Sequence, residues 1–313
     1  MWLKNYAKSN VAPSTYRSYK EIIGNHISPK IGNIELSKLK PFEIQQMYTK
    51  LSETHLSSTT VLYIHRILHK ALGQAVKWDM VRDNPASRVD PPKKRKVQYN
   101  TWDSSTIAKA LELAKGTPLY IPIVLATTTG ARVGEICGLQ WNNVDLEKGQ
   151  ISIVYTFQRI DKKWQLKPVK TDRSNRLVII PDIVVNILRQ QKHWQKKNRA
   201  FFGSDYHHNT HVTTWPDGRP ILTEYVTKQF KKFIQEHNLP EIRFHDLRHT
   251  HATELLKAGI NPKIVSERLG HSSIRITLDT YSHVVPTLQK EAAELAAQNI
   301  FGSNFEKKGE KKI

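Results

Sequence analysis

Six side chains after residue 130 are of types that handle phosphate. Arg132 follows Gly130 in TTTGARVGEICGLQW. Lys170 stands in KPVKTDRSNRLVIIP, where a strand-like stretch gives way to a turn. His245 and Arg248 are three apart in FHDLRHTHAT, on one face if that segment is helical, and Tyr281 follows His271 by ten residues in LGHSSIRITLDTYSHV. Taken singly, each has an ordinary explanation as a surface charge, a solvated lysine, a helix ion pair or a core tyrosine. Taken together they supply what tyrosine attack on a phosphodiester demands. Attack builds negative charge on the non-bridging oxygens, which guanidinium groups match with paired hydrogen bonds and a permanent charge; Arg132 and Arg248 suit this role. Stabilising such charge with preorganised donors is usually the largest catalytic contribution. His271 can donate to the same oxygens. His245 can accept the tyrosine proton, since an unperturbed imidazole titrates at about 6.5. Lys170 can protonate the departing 5′ oxygen. Tyr281 would form a 3′-phosphotyrosine, which divides one hard step into two reversible ones. The bond energy is retained, so no ATP or other cofactor is expected, and side-chain cations stand where a metal would.

The elements that must position these groups are mostly helical. Residues 12–88 read as a four-helix unit. Ser14 is placed to cap a helix through Tyr16, Tyr19, Ile22 and Ile23. Pro41 suits the first turn of a helix carrying Phe42, Ile44, Met47, Tyr48 and Leu51. Ser57 and Ser58 precede an apolar stripe of Val61, Ile64, Leu68, Leu72 and Val76 that Asn84-Pro85 should stop. Residues 89–100, VDPPKKRKVQYN, read as a linker with Lys93, Lys94, Arg95 and Lys96 in a row. Beyond it helices resume, interrupted by strand-like Gln150–Gln158 and Trp164–Val169 about a turn at Arg159–Lys162, then by Arg176–Ile180. Gly130 should end one helix just before Arg132 begins the next. The expected fold is therefore mainly α: a helical domain (1–88), the linker (89–100), a mixed α/β catalytic domain with a small antiparallel sheet (101–285), and a C-terminal helix with a tail lacking fixed structure (286–313).

Composition restricts the function classes. A chain of 313 residues, 39% hydrophobic, can build two domains. No apolar run approaches the roughly 20 residues that span a bilayer, and the N-terminus lacks a secretory signal, so no membrane partner is expected. Cys137 is the one cysteine, which excludes an internal disulfide and a Cys-rich zinc site and fits a reducing cytoplasm. Lys and Arg number 48 against 28 Asp and Glu, a net charge of +20 that calls for a polyanion, with nucleic acid first. The excess is shared: 17 against 7 in residues 1–97 and 31 against 21 in the rest, so both parts carry a surplus of ten. Two DNA-facing domains explain that better than a basic tail does. His249, His251 and His283 crowd the motifs and invite a zinc reading, but such sites need about four ligands in fixed geometry; no metal is expected. Glu135 and Asp246 are placed either to orient the arginines or to form ordinary helix salt bridges, and Cys137 should be buried and inert.

The four motifs resemble the signature boxes of the tyrosine recombinases, the phage integrase family. GARVGEICGLQW is similar to the first arginine box, VKTDRSNRLVIIP to the β-hairpin lysine box, FHDLRHTHAT to the second arginine box and LGHSSIRITLDTYSHV to the nucleophile box. The likeness spans roughly residues 120–285, and the helical unit before it resembles the family's core-binding domain. It is nearest to integrases of bacterial phages and conjugative transposons. It implies a site-specific recombinase that integrates or excises a mobile element in a bacterial cytoplasm, with a C-shaped clamp of two domains on double-stranded DNA. Arg17, Lys20, Arg66, Lys70 and Lys77, with the linker cations, are then candidate phosphate contacts. It also implies a homo-tetramer on two DNA sites, in which the apolar stripe Leu288, Ala292, Leu295 and Ile300 docks in trans, and accessory DNA-bending or directionality factors. Many such integrases carry a further N-terminal domain for arm sites, whereas this sequence begins almost at the core-binding unit. Two other readings remain open: an architectural DNA-binding protein that does not cleave, and a type IB topoisomerase-like enzyme.

Overall fold

The computed structural model describes residues 1–93, 100–160, 163–169, 174–281 and 293–300. The chain divides into two compact units, Met1–Gln98 and Tyr99–Ile313.

In the first unit, helix begins before residue 12: a π-helical turn at Leu3–Ala7 runs into α1 (Lys8–Asn10), and the backbone becomes extended at Val11. α2 (Pro13–Ile22) opens on a proline whose fixed φ and missing N–H suit that position. The expected cap at Ser14 is therefore corrected: Ser14 lies inside the helix, and Ala12 precedes it with no side-chain cap. A second π-helical turn (Ile23–Ile27) leads into α3 (Ser28–Ile31). α4 (Pro41–Ser52) starts on Pro41, where the Glu43 carboxylate accepts the Lys40 N–H at 2.9 Å. α5 (Ser58–Lys77) is capped by the Ser57 hydroxyl, which accepts the Thr60 N–H at 3.2 Å. It ends at Lys77 rather than at Asn84-Pro85, because Asp79 takes the left-handed conformation (φ 55°) that breaks the helix. Asn84-Pro85 instead begin a 3-10 turn, Pro85–Arg88. Ile44, Met47, Tyr48 and Leu51 of α4 and Val61, Ile64, Leu68 and Leu72 of α5 form the core. Each buried side chain of this size contributes about 1.5–3 kcal/mol. The opposite surface leaves Arg17, Lys20, Arg66, Lys70 and Lys77 exposed, with the Lys70 ammonium 5.8 Å from the Tyr19 ring centre. Lys93 is exposed too; Lys94, Arg95 and Lys96 lie outside the described residues.

The second unit starts with α6 (Ser104–Ala114), capped by Asp103, and α7 (Tyr120–Thr129), in which the run from Ile121 to Ala126 is buried. The short α8 (Val133–Cys137) follows, with Cys137 fully buried. The strands are β1 (Val144–Asp145), β2 (Gln150–Ile153), β3 (Tyr155–Ile160), β4 (Lys163–Pro168) and β5 (Arg176–Ile179). They do not form the single sheet expected. Ile153 pairs with Arg176 while Tyr155 pairs with Pro168, so the chain changes partners at Val154. One antiparallel sheet has the order β1-β2-β5, and β3-β4 is a separate hairpin. Its ladder runs on to Ile160 opposite Lys163, so Arg159 and Ile160 are paired strand rather than turn. Five helices complete the unit: α9 (Asp182–Phe202), α10 (Thr223–Glu236), α11 (Asp246–Lys257), α12 (Pro262–Leu269) and α13 (Ile274–Tyr281). Residues 293–300 are helical and expose Leu295 (58%) and Ile300 (73%), whereas Leu288, Ala292 and the tail from 301 lie outside the described residues. Among the described residues no helix is long and apolar enough to cross a membrane.

Candidate active site

Gly130 ends α7 in the left-handed conformation (φ 65°). A Cβ there would meet Leu269 Cδ2 at 2.5 Å and His251 Cδ2 at 2.8 Å, so both backbone and space require glycine. The turn it makes places Arg132 at the N-cap of α8. Both ends of Arg132 engage Glu135: the backbone N–H donates at 2.9 Å and Nη1 at 2.7 Å. Glu135 is only 3% exposed, and the Oε2 that accepts the Arg132 N–H also accepts Nη2 of Arg176 at 2.8 Å. Burial alone would raise this carboxyl, but Arg176 and then Arg132 hold it below the usual carboxylate range. Arg176 also donates Nε to the Arg268 carbonyl at 2.7 Å, which ties β5, α8 and α12 together beneath Arg132.

α11 supplies the next group of side chains. His245 stands at its N-cap, with Arg248 and His249 one turn on. Arg248 is 3% exposed and donates Nη1 to the Gly130 carbonyl (2.7 Å) and Nη2 to the Leu269 carbonyl (2.6 Å). Burial, then the charge of Arg132, push its pKa down to about 9. His251 Nδ1 lies 2.9 Å from the Thr127 carbonyl, and its Nε2 accepts Nε of Arg268 at 3.1 Å. The proton therefore sits on Nδ1, and His251 braces the Gly130 turn from below. Of the two readings of Asp246, the ordinary salt bridge is the one observed. Its carboxylate is taken by Arg243, through the backbone N–H (2.8 Å), Nε (3.1 Å) and Nη2 (2.8 Å), because the helix start turns Asp246 back toward the residue three before it.

These elements enclose a cavity of about 390 Å³. Arg132, Arg243, His245, Arg248, His249 and His271 line it, with Ser272, Ile276 and Thr280. Among the described residues its wall carries no Asp or Glu. His271 follows Gly270, the left-handed residue (φ 67°) that ends α12, and its Nδ1 lies 2.8 Å from the Thr277 hydroxyl. Burial, then Arg248 and Arg132, push His271 down to about 3. Four of the six residues singled out in the sequence thus share one concavity. Lys170 lies outside the described residues.

Tyr281, at the end of α13, is 2% exposed and packs with Ala252, Leu256, Val265 and Leu269. Its hydroxyl lies 2.8 Å from Nδ1 of His249. The sequence reading gave the tyrosine proton to His245. In the structure His245 packs its ring edge-on against His249, centroids 5.4 Å apart, and the bond to the phenol belongs to His249. The signal for His249 was present: it shares the helical face of His245. Arg176 and Arg243 were also overlooked. An arginine on an alternating strand, facing inward with Glu135 nearby, marks the first; the second precedes His245 by two residues. Among the described residues no group of three His, Cys, Asp or Glu side chains is arranged to hold a metal ion, and His283 lies outside them.

One buried histidine, His251, and two half-buried ones, His249 and His271, make this unit acid-sensitive. Burial first, then neighbouring cations or histidines, lowers His249 and His251 to about 4 and His271 to about 3, against 6.5 for a free imidazole. The unfolded chain therefore binds more protons below 6.5, so stability is complete above that pH and is lost as pH falls toward the folded values. The melting temperature of the second unit should drop between pH 6.5 and 4.5, before most carboxylates titrate. A calorimetric Tm that stays level across that window would contradict the neutral state of these rings.

Comparison with known proteins is consistent across sequence and structure. Residues 100–287 match the model of the Phage integrase family, and residues 1–52 match the Phage integrase N-terminal SAM-like domain. The chain is similar to a XerC-like tyrosine recombinase of Caldanaerobacter subterraneus subsp. tengcongensis, at 30% identity over 94% of this chain and 80% of that protein. It is similar to the ICEBs1 integrase of Bacillus subtilis at 29% identity, over 90% of this chain and 77% of that one. Among solved structures, the Tn1549 transposon integrase in complex with transposon right end DNA superposes with a TM-score of 0.78 at 23% identity, covering 94% of this chain and 99% of that chain. A lambda integrase tetramer bound to a Holliday junction gives 0.64 at 19% identity, covering 90% of this chain and 76% of that chain.

Proposed function

The chain belongs to the phage integrase family, and from that premise we propose a chemical role for each group in the arginine- and histidine-lined cavity of a site-specific DNA recombinase. The enzyme breaks and rejoins DNA strands in the recombination of a mobile element. The scissile phosphate occupies the cavity of about 390 Å³. Arg132 and Arg248 hold its non-bridging oxygens, His271 and His245 donate to the same oxygens, and Tyr281 attacks phosphorus to give a 3′-phosphotyrosine. One observation carries this reading: three arginines and three histidines converge on one wall whose described lining has no Asp or Glu, and Arg248 at that wall donates to backbone carbonyls rather than to a carboxylate. Glu135 and Asp246 are engaged beside the site by Arg132, Arg176 and Arg243. A polyanion is the ligand such a cavity fits.

The exposed cations of the first unit, Arg17, Lys20, Arg66, Lys70 and Lys77, contact flanking phosphates, as do Lys93, Lys94, Arg95 and Lys96 of the basic segment. The working assembly is a tetramer on two duplexes. Leu295 and Ile300, exposed on a helix of this chain, support docking of the C-terminal segment on a neighbouring subunit. Incubation with a nicked substrate that loses its 5′ end tests the function: a covalent protein–DNA adduct is expected. Tight binding without adduct would favour an architectural protein, and relaxation of a plasmid lacking any recombination site would favour a topoisomerase.

Lys170 is the proposed acid for the 5′ oxygen. Lys170→Ala should slow cleavage of an ordinary phosphodiester and recover on a 5′-phosphorothiolate, whose sulfur leaves without a proton. An equal defect on both substrates would remove Lys170 from this role.

A further inference from the structure

We propose that His249, not His245, accepts the proton of Tyr281 during strand cleavage; this rests on the reading of Tyr281 as the nucleophile. His249 Nδ1 and the Tyr281 hydroxyl are 2.8 Å apart, the separation of a direct proton transfer. For the phenol O–H to donate across this contact, Nδ1 carries the lone pair and Nε2 the hydrogen, the tautomer the proposed transfer requires. The same ring lines the cavity, so it reaches from the phosphate site to the phenol, which lies in the apolar cluster of Ala252, Leu256, Val265 and Leu269. His249 also follows Arg248 directly on α11. The group that grips phosphate and the group that takes the proton are therefore carried by one rigid turn.

The surroundings keep the ring neutral. Burial comes first, then His245, Arg248 and Arg243 disfavour its charge, with Asp246 opposing them. Across the cavity His271 faces it from the α12–α13 loop, and Tyr281 faces it from α13. A bound phosphodiester adds negative charge beside the ring and makes it more basic as the nucleophile engages. In the forward step Tyr281 Oη bonds to phosphorus, the phosphorus–O5′ bond breaks, and the phenol proton passes to His249 Nδ1. The 5′ oxygen receives its proton from the acid opposite, assigned above to Lys170. On rejoining, the 5′ hydroxyl gives its proton back to Lys170 and attacks phosphorus, the phosphotyrosine bond breaks, and His249 returns its proton to the phenolate. Nothing is oxidised or reduced. His245 is left to contact the phosphate.

The test uses the full chain and a nicked 5′-phosphorothiolate substrate, so that leaving-group protonation does not limit the rate. His249→Ala and His249→Gln should bind DNA as wild type does and form adduct about 10²-fold or more slowly. The wild-type rate should fall on the acid side as His249 protonates, and that limb should vanish in both variants. Added imidazole should restore His249→Ala in proportion to its concentration. A His249 variant that reacts at the wild-type rate or faster would overturn the proposal, since the bond would then only restrain Tyr281. So would a slow variant that keeps the wild-type pH profile and ignores imidazole, since His249 would then merely position the phenol. Tyr281→Phe serves as the control. Adduct formed by that variant would overturn the nucleophile reading itself, and the proposal with it, whereas its absence leaves the His249 outcomes to decide alone.

Discussion

Tyr281→Phe should abolish the covalent adduct and leave DNA binding at its wild-type level. The substitution removes one oxygen, the atom proposed to bond to phosphorus. His249 is the group in contact with that oxygen, but a neutral imidazole carrying two arginines nearby is a poor substitute nucleophile. The ring itself is 2% exposed and packs on Ala252, Leu256, Val265 and Leu269; phenylalanine keeps those contacts. The hydrogen bond to His249 Nδ1 is lost, a net effect of about 0.5–1.5 kcal/mol on folding, too small to unfold the domain. Arg132, Arg248 and His271, the proposed phosphate-binding residues, are held by Glu135, by the Gly130 and Leu269 carbonyls and by Thr277. Binding and chemistry should therefore separate cleanly. A gel shift run beside a denaturing gel on the same nicked substrate reads both. Adduct formed by Tyr281→Phe would mean that another residue attacks.

How much of this was legible from residues alone can be followed at particular positions. The Gly130 break was readable because only glycine takes a left-handed φ without cost, and Arg132 had to begin the next helix. The stripes of α4 and α5 were readable because burial on one face imposes a period near 3.6. The site's composition was readable because phosphate chemistry restricts which side chains can serve. What failed was pairing in space. His245 and His249 share a face of α11, and spacing cannot say which ring meets Tyr281. That depends on how α13 packs across Leu256, Val265 and Leu269, contacts made by residues far apart in the chain. Spacing left Asp246 between orienting an arginine of the site and an ordinary salt bridge, and the helix start directs it back to Arg243. The apolar run Gln150–Gln158 looked like one strand, because nothing in its local pattern marks Val154 as the place where pairing passes from β5 to β4. Arg176 went unnoticed for a related reason: its value lies in Glu135, 41 positions away.

Arg132→Ala and Arg248→Ala should each slow adduct formation by on the order of 10²–10³, the usual cost of losing one donor to a developing oxyanion. Their effects on stability should differ widely. Arg132 is 39% exposed, and removing it leaves Glu135 still paired with Arg176 at 2.8 Å, so the fold should be little affected. Arg248 is 3% exposed and donates to two backbone carbonyls, of Gly130 and Leu269, that end α7 and α12. Alanine there strands both acceptors away from water, at about 1–3 kcal/mol each, and opens a void where the guanidinium stood. For a unit of this size each kcal/mol lowers Tm by roughly 2–4 °C, so Arg248→Ala should melt several degrees or more below Arg132→Ala. Arg248→Lys keeps the charge but cannot span the two carbonyls and the phosphate with one planar fork. It should therefore recover little of either loss. The pairing of results carries the argument: equal rate defects with unequal melting temperatures are expected only if one arginine both binds phosphate and joins the two helix ends that form the cavity. An Arg248→Ala protein that melted with wild type would mean that the Gly130 and Leu269 carbonyls find other donors, and that the cavity stands without the residue placed at its centre.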